Sequence, residues 1–412
     1  MNAPHVLIAG AGHAGGRVAQ ALRAAGFAGR VTLVGDEPYA PYERPALSKD
    51  MLVGAKGVSD LVLQPHAFWQ DEANLARRQG RIVKVSPERS ALLDDGATID
   101  FDILVVATGG AARRLAIPGA DAPEVRTLRT MDDCLALRPA MAAGRRLVVI
   151  GGGVIGMEAA ASAVAMGMRA TVLEGGARVM ARCLPPEGSH WLQALHVQHG
   201  VSVETDVRLD LLARKEGSTA GVSVVGRQAG AVRTWDADLV LVAVGIAPDT
   251  AFLEGSGVAL DNGVLADENH RNPGAPWCYA VGDIANMHNP LYGRHVRQET
   301  WRNAENGARA VAAAIVGAPD THVELPWMWT DQHGRNIQVV GMYTPGDLVV
   351  SRIAPSEASG VLLWLHEGRV AGGMLVDCGR ERKQLEALVR RGAAVDAAIL
   401  GDPAIPLKEL AK

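Results

Sequence analysis

Two glycine runs hold the most specific chemistry in this chain. Gly10-Ala11-Gly12-His13-Ala14-Gly15 and Gly151-Gly152-Gly153-Val154-Ile155-Gly156 each follow a short apolar run and open a segment of helical composition. In a strand, G-x-G-x-x-G, helix arrangement the first glycine makes the tight turn. The second lets a pyrophosphate approach the backbone, the third lets the helix pack closely, and the helix N-terminus faces the anion. Acids follow at the spacing of a ribose-binding carboxylate: Asp36 and Glu37 lie 21 and 22 residues after Gly15, and Glu174 lies 18 residues after Gly156. Two such devices call for two dinucleotides, and electron transfer between them is the chemistry that would use both.

The first loop reads as an FAD site, with one of Asp36 and Glu37 on the adenosine ribose. Thr108-Gly109-Gly110 ends an apolar strand expected over 99–108 and permits close backbone approach to a ligand. Gly282-Asp283 ends another, expected over 277–281 and followed by a helix start; an aspartate there can reach the ribityl hydroxyls of a flavin. The second loop reads as a nicotinamide dinucleotide site. Glu174 suits the two ribose hydroxyls of NADH and repels the roughly −1.5 to −2 charge of a 2′-phosphate. Gly175 stands where an NADPH site often offers an arginine, although Arg178 and Arg182 are near enough in sequence to touch a phosphate. Gly245, after an apolar strand over 239–244, parallels Gly109. Glu158 lies two residues past the last glycine, where a helix-dipole role is the plainer reading. With Lys49 as a partner from the first domain, it could instead hold charge near the flavin N5.

Five of the eight tryptophans fall after residue 276. Trp301 and Trp329 are candidates to shield a flavin ring; core packing suits Trp277 and Trp364. Two late basic groups, Arg294, His295, Arg297, Arg302, Arg309 and Arg380, Arg382, Lys383, Arg390, Arg391, are either solvated faces or a dock for an acidic electron carrier.

The elements that must position these residues repeat. Strand 5–9, helix 14–25 and strand 30–34 form one βαβ unit; strand 147–150, helix 154–166 and strand 170–174 form another. The 141 residues between Gly10 and Gly151 mark a domain duplication. Beyond residue 322 the texture becomes that of an antiparallel sheet, with strands over 332–342, 347–353, 361–366 and 369–376 and a charged helix over 380–391. The fold class is α/β, with two Rossmann-like dinucleotide-binding domains and a C-terminal α+β domain. The FAD domain is split over 1–110 and 238–321, the NAD domain spans 111–237, and the C-terminal domain spans 322–412.

Composition adds exclusions. A chain of 412 residues with net charge −4 is no strongly basic nucleic-acid binder. No apolar stretch approaches the roughly 18 residues of a membrane span, and no signal peptide is visible. Cys134, Cys183, Cys278 and Cys378 form no C-x-x-C and no metal-ligand spacing, so neither disulfide-reductase chemistry nor a metal site is expected. A reducing, cytoplasmic compartment fits.

The chain resembles the NADH-dependent ferredoxin reductases of oxygenase systems, with apoptosis-inducing factor a more distant relative. The resemblance spans nearly the whole sequence. It is carried by the first glycine loop, Val34-Gly35-Asp36-Glu37, Tyr42-Glu43-Arg44-Pro45-Ala46-Leu47-Ser48-Lys49, Ala107-Thr108-Gly109, Leu128-Arg129-Thr130, residues 151–158, 280–283, Glu299-Thr300-Trp301 and 325–332. The R-P-x-L-S-K loop and the W-x-W-x-D-Q segment are its most specific parts; Ala46 replaces the usual second proline.

The resemblance implies a glutathione-reductase-like fold. It implies FAD contacts from Gly10, Gly12, His13, Ala14, Gly15, Asp36, Glu37, Arg44, Lys49, Ala107, Thr108, Gly109, Arg129, Gly282, Asp283, Glu299, Thr300, Trp301 and Trp329, with Ile82 meeting the adenine through its backbone. It implies NADH contacts from Gly151, Gly153, Val154, Ile155, Gly156, Glu158, Glu174, Arg182, Val244 and Gly245, and a Lys49–Glu158 ion pair. The implied activity passes electrons from NADH through FAD to a [2Fe–2S] ferredoxin serving an oxygenase or cytochrome P450, in a monomer or weak homodimer with no nucleic-acid or membrane partner. A rubredoxin reductase, an NADH oxidase and a redox-gated interaction protein like the apoptosis-inducing relative are the alternatives.

Overall fold

The structure, a computed structural model, describes residues 4–70, 74–214, 221–318, 323–352 and 359–411. The chain forms two units. The first gathers Met1–Pro45, Val58–Ala111 and Ile246–Glu324; the second gathers Ala46–Gly57, Ala112–Gly245 and Leu325–Lys412.

The first unit is built on a parallel five-stranded sheet in the order Cys278–Ala280, Ile103–Val106, His5–Ala9, Arg30–Gly35, Leu75–Gln79. Its central strand is apolar at every interior position because both faces are covered. Val6 and Ile8 pack with Val18 and Leu22 of helix His13–Ala24 and with Ala308 and Val311 of helix Trp301–Ile315. Leu7 and Ala9 face the other way, toward Val85, Leu93 and Phe252.

The second unit repeats the plan with a parallel sheet ordered Ser202–Glu204, Arg169–Leu173, Arg146–Ile150, Leu239–Val242, Val125–Thr127. It also holds a five-stranded antiparallel sheet ordered Trp327–Gln332, Arg335–Gly341, Arg369–Val376, Gly360–His366, Leu348–Ser351. Helix Arg382–Arg390 covers that sheet through Leu385 and Leu388, both fully buried. Each such leucine contributes about 1.5–3 kcal/mol of transfer free energy.

The boundaries differ from those read in the sequence. Residues 238–245 belong to the second unit, because Leu239–Val242 pairs in parallel with Arg146–Ile150. A uniformly apolar strand fits the middle of either parallel sheet, so its sequence does not say which. Residues 46–57 also lie in the second unit, which makes Lys49 a neighbour of Glu158 within one unit rather than a partner from the first domain. The expected third domain keeps its own sheet but groups with 112–245 from Leu325 onward. The expected boundary at 321–322, residues 1 and 412, and strand residue Ile353 lie outside the described residues.

Three element expectations also change. The strand over 99–108 is two pieces: Thr98–Asp100 in an antiparallel sheet, then Ile103–Val106 in the parallel one. The break falls at Asp102, whose Oδ2 accepts from the His5 backbone N–H at 2.7 Å. After Gly282-Asp283 the chain makes only a single 3₁₀ turn, Gly282–Ile284, before strand Ala285–Asn289. The W-x-W-x-D-Q segment is itself a strand, Trp327–Gln332, so the strand expected over 332–342 starts at Arg335.

Candidate active site

The two glycine loops have nearly the same backbone. Gly10 sits at φ +111° and Gly151 at +109°; a Cβ on Gly10 would lie 2.4 Å from the Ala107 carbonyl oxygen, and one on Gly151 would lie 2.5 Å from that of Ala243. A Cβ on Gly15 would lie 2.0 Å from the Gly10 oxygen, and one on Gly156 would lie 2.1 Å from the Gly151 oxygen. Helices His13–Ala24 and Val154–Ala165 therefore press directly on the loops that precede them. Their N-caps, Gly12 and Gly153, supply no side-chain cap, and neither first turn contains an acid. Backbone N–H groups and the positive end of the dipole are left for an anion. This cradle fits a dinucleotide pyrophosphate at each loop.

Around the first loop the structure gathers much of the expected FAD set. Glu37 accepts from Arg44 Nη2 and from the Tyr42 hydroxyl, both at 2.6 Å. Asp36 is exposed at the strand end. Burial acts to lower the Arg44 pKa, but Tyr42, Glu37 and Asp283 outweigh it and hold the guanidinium charged. His13 Nε2 lies 2.9 Å from Glu305 Oε1, and its ring tilts against Trp301 at 5.8 Å. Ala14 meets Gly282 so closely that a Cβ there would lie 2.9 Å from the alanine Cβ. Thr300 caps its helix by accepting from the Asn303 N–H, and Glu299 pairs with Arg297 at 2.7 Å. Thr108 donates to the Asp249 carbonyl at 3.2 Å, Gly109 takes φ +66°, and Ala107 and Ile82 are buried. Arg129, Lys49 and Trp329 are in the second unit. His13, Glu43 and Glu305 converge as metal ligands might, but the guanidinium of Arg17 already pairs with both carboxylates.

Around the second loop, Glu174 accepts from the Gly152 N–H at 2.6 Å and the Gly176 N–H at 2.7 Å, which locks its carboxylate at the loop. Arg178 is turned away, donating to the Leu184 carbonyl and to Ser189 Oγ; Arg182 is exposed. Ile155 and Val244 are each 38% exposed, so both leave apolar surface open to a ligand. Gly245 takes φ +94° and accepts from the Arg113 N–H. A Cβ on Gly153 would meet nothing within 4 Å. Gly153→Ala is therefore expected to keep Tm while weakening binding of a dinucleotide at this loop, as a thermal melt and a binding titration would report.

At the head of that helix, Glu158 is 4% exposed. Its carboxylate accepts from Ser48 Oγ, from Thr330 Oγ1 at 2.6 Å and from Lys49 Nζ at 3.1 Å. Burial raises its pKa, while Lys49 and the two hydroxyls oppose the rise. Lys49 also lies 3.7 Å from Asp331 and over the Trp329 ring at 5.6 Å. Trp329 stacks on Trp327, and Arg382 covers the Trp327 ring at 4.8 Å. Sequence reasoning found Lys49 and Glu158 but missed Ser48 and Thr330. Both sit inside the two most specific motifs, next to residues already singled out.

The basic groups resolve unevenly. Arg297 and Arg302 turn inward to Glu299 and Glu324 and are internal cations rather than a docking face. All four cysteines are free; burial raises the Cys134 thiol to about 11 and pushes Cys278 up further. Among the described residues no helix is long and apolar enough to cross a membrane.

The chain matches the pyridine nucleotide-disulphide oxidoreductase family over residues 4–308 and the reductase C-terminal family over 327–411. It is 35% identical to the anthranilate 1,2-dioxygenase system ferredoxin–NAD(+) reductase component of Burkholderia cepacia, with 99% of each chain covered. It is 33% identical to putidaredoxin reductase of Pseudomonas putida, over 100% of this chain and 97% of that one. Among solved structures, the ferredoxin reductase for the CYP199A2 system from Rhodopseudomonas palustris matches with a TM-score of 0.92 at 34% identity, covering 99% of this chain and 100% of that one. The covalent putidaredoxin reductase–putidaredoxin complex matches at 0.92 and 32%, covering 100% and 98%. With twin uncapped glycine loops, four free thiols and relatives matched from end to end, the chain belongs to the pyridine nucleotide-disulphide oxidoreductase family, among the ferredoxin–NAD(P)(+) reductases of oxygenase systems.

Proposed function

We propose that this chain passes electrons from NADH, with FAD as its resident cofactor, to a [2Fe–2S] ferredoxin serving an oxygenase or a cytochrome P450. The observation that carries the reading is the pair of glycine loops with matching backbone geometry, each ending in an uncapped helix N-terminus. FAD, when bound, supplies hydride acceptance and one-electron release, so no side-chain nucleophile is needed. The first loop, Arg44 and Asp283 hold the cofactor, and Trp301 flanks it. The second loop orients the dinucleotide, Ile155 and Val244 give its rings an apolar wall, and the Lys49–Glu158 pair holds charge at the nicotinamide end. Four free thiols fit a reducing compartment, and we place the protein in the cytoplasm.

The test is anaerobic titration of the yellow protein with NADH, followed by a panel of [2Fe–2S] ferredoxins with cytochrome c as the final acceptor. Fast cytochrome c reduction that requires one of the ferredoxins supports the reading. Fast oxygen consumption without any of them would make the protein an oxidase.

Glu174 supports NADH over NADPH, because its fixed carboxylate suits ribose hydroxyls and repels a 2′-phosphate. The kcat/KM for NADH is expected to exceed that for NADPH by at least about tenfold, which corresponds to about 1.4 kcal/mol. Glu174→Gln is expected to narrow that ratio chiefly by improving NADPH. An unchanged ratio would remove Glu174 as the discriminator.

A further inference from the structure

Beyond Glu158 the hydrogen bonding continues. Thr330 Oγ1 accepts from Gln332 Nε2 at 2.8 Å. Gln332 Oε1 lies 2.7 Å from His196 Nε2, and His196 Nδ1 lies 3.2 Å from His333 Nε2. Thr330, Gln332 and His196 are at most 1% exposed, whereas His333 is half-buried and stacked on His199. The run therefore leads from a buried carboxylate to the protein's edge, across strand Trp327–Gln332 and helix Pro186–Gln198.

The direction of every bond follows from one end. An ionised carboxylate only accepts, so the Thr330 hydroxyl must donate to Glu158. Its oxygen then accepts from Gln332, which must present its NH₂ there and its carbonyl to His196. That carbonyl needs an N–H, so His196 carries its proton on Nε2, and its Nδ1 is free to accept from His333. Burial and the neighbouring imidazoles lower His196 and His333 to about 4, which keeps both neutral and suited to these tautomers. The amide in the middle holds its hydrogens, so the run orients groups and does not conduct protons.

We propose that Gln332 and His196 are positioning residues for Glu158, aligning a continuous run of donors on its carboxylate so that it stays ionised at the head of the dinucleotide-binding helix. The functional meaning rests on the NADH reading of the second loop; the alignment itself does not. At the Glu158 end the charged neighbours are Lys49 and Asp331, and at the His196 end the titratable neighbours are His333 and His199.

The test is an infrared pH titration of the holoenzyme. The Glu158 carboxylic acid band is identified by its loss in Glu158→Gln. Thr330→Val is expected to raise the titration midpoint by about one pH unit or more, the effect of losing one hydrogen bond to a charge. Gln332→Leu and His196→Leu are expected to raise it in the same direction, and His196→Gln, which keeps a donor at the Nε2 position, to restore it. Gln332→Glu changes little volume and covers the case in which the leucine variant fails to fold. Its carboxylate draws the Thr330 hydroxyl toward itself, and the midpoint is again expected to rise. The inference is overturned if Thr330→Val moves the midpoint while both Gln332 variants leave it unchanged, if His196→Gln behaves like His196→Leu, or if no variant moves it. Shifted midpoints in a protein that NADH fails to reduce would uphold the alignment and sink the cofactor reading.

Discussion

Gly15→Ala is expected to purify with most of its FAD lost. The added Cβ would lie 2.0 Å from the carbonyl oxygen of Gly10, which is itself fixed beneath Ala107. The Cβ is fixed by its own backbone and meets a backbone oxygen, so no rotamer relieves the collision, and helix His13–Ala24 must lift off its strand. Overpacking of this kind costs about 1–3 kcal/mol, and it displaces the N–H groups at the anion site. Gly12→Ala is the contrast in stability: its Cβ would meet only the Arg44 guanidinium, at 3.3 Å, so its Tm is expected to stay near that of the native protein even though it crowds the approach of a pyrophosphate. The visible absorbance ratio of the purified proteins and their Tm values measure both effects. A Gly15→Ala protein with full flavin content would mean that the first loop does not hold the cofactor.

The second large effect is expected at Glu158. Glu158→Ala removes the acceptor for Ser48, Thr330 and Lys49 together. A hydrogen bond to a charge is worth about 1.5–3 kcal/mol, so losing the interaction is expected to slow anaerobic reduction by NADH by about 10- to 100-fold. Stopped-flow absorbance measures this, and an unchanged rate would remove Glu158 from the site. The pH dependence has a definite sign. A function that needs the carboxylate fades as pH falls through the Glu158 pKa, which burial raises. Lys49→Met removes the main opposing influence and raises that pKa further, so the acid limb of the rate profile is expected to move to higher pH.

Stability runs the opposite way. With the folded pKa above the unfolded one, the native state binds the extra proton, and stability is lost as pH rises through the folded value. Replacing the buried charge with a neutral amide avoids that loss. The Tm of Glu158→Gln relative to the native protein is therefore expected to rise with pH and to converge with it below the ordinary glutamate range. A Tm gap that widens toward acid pH would contradict the raised pKa.

Much of the molecule was legible because short-range constraints wrote it. Both glycine loops, their strands and their helices fall within a residue or two of the sequence reading, since the turn at Gly10 and the contact at Gly15 admit no side chain. The turn between the strands expected over 361–366 and 369–376 falls at Glu367-Gly368, both at positive φ. The apolar strand Leu239–Val242 was assigned to the wrong unit, because its neighbours come from Arg146–Ile150 and Val125–Thr127, far along the chain. Arg297 and Arg302 looked like surface charge because their partners, Glu299 and Glu324, gave no spacing signal.

Sequence alone located two glycine loops and the acids that follow them and showed no C-x-x-C, because each of these is a matter of neighbours along the chain. Only the tertiary structure decided that Lys49 and Glu158 share one unit with Ser48, Thr330, Gln332 and His196. Those residues come from four separate stretches. A buried carboxylate persists only where the fold brings enough donors to it, and no local pattern records that convergence.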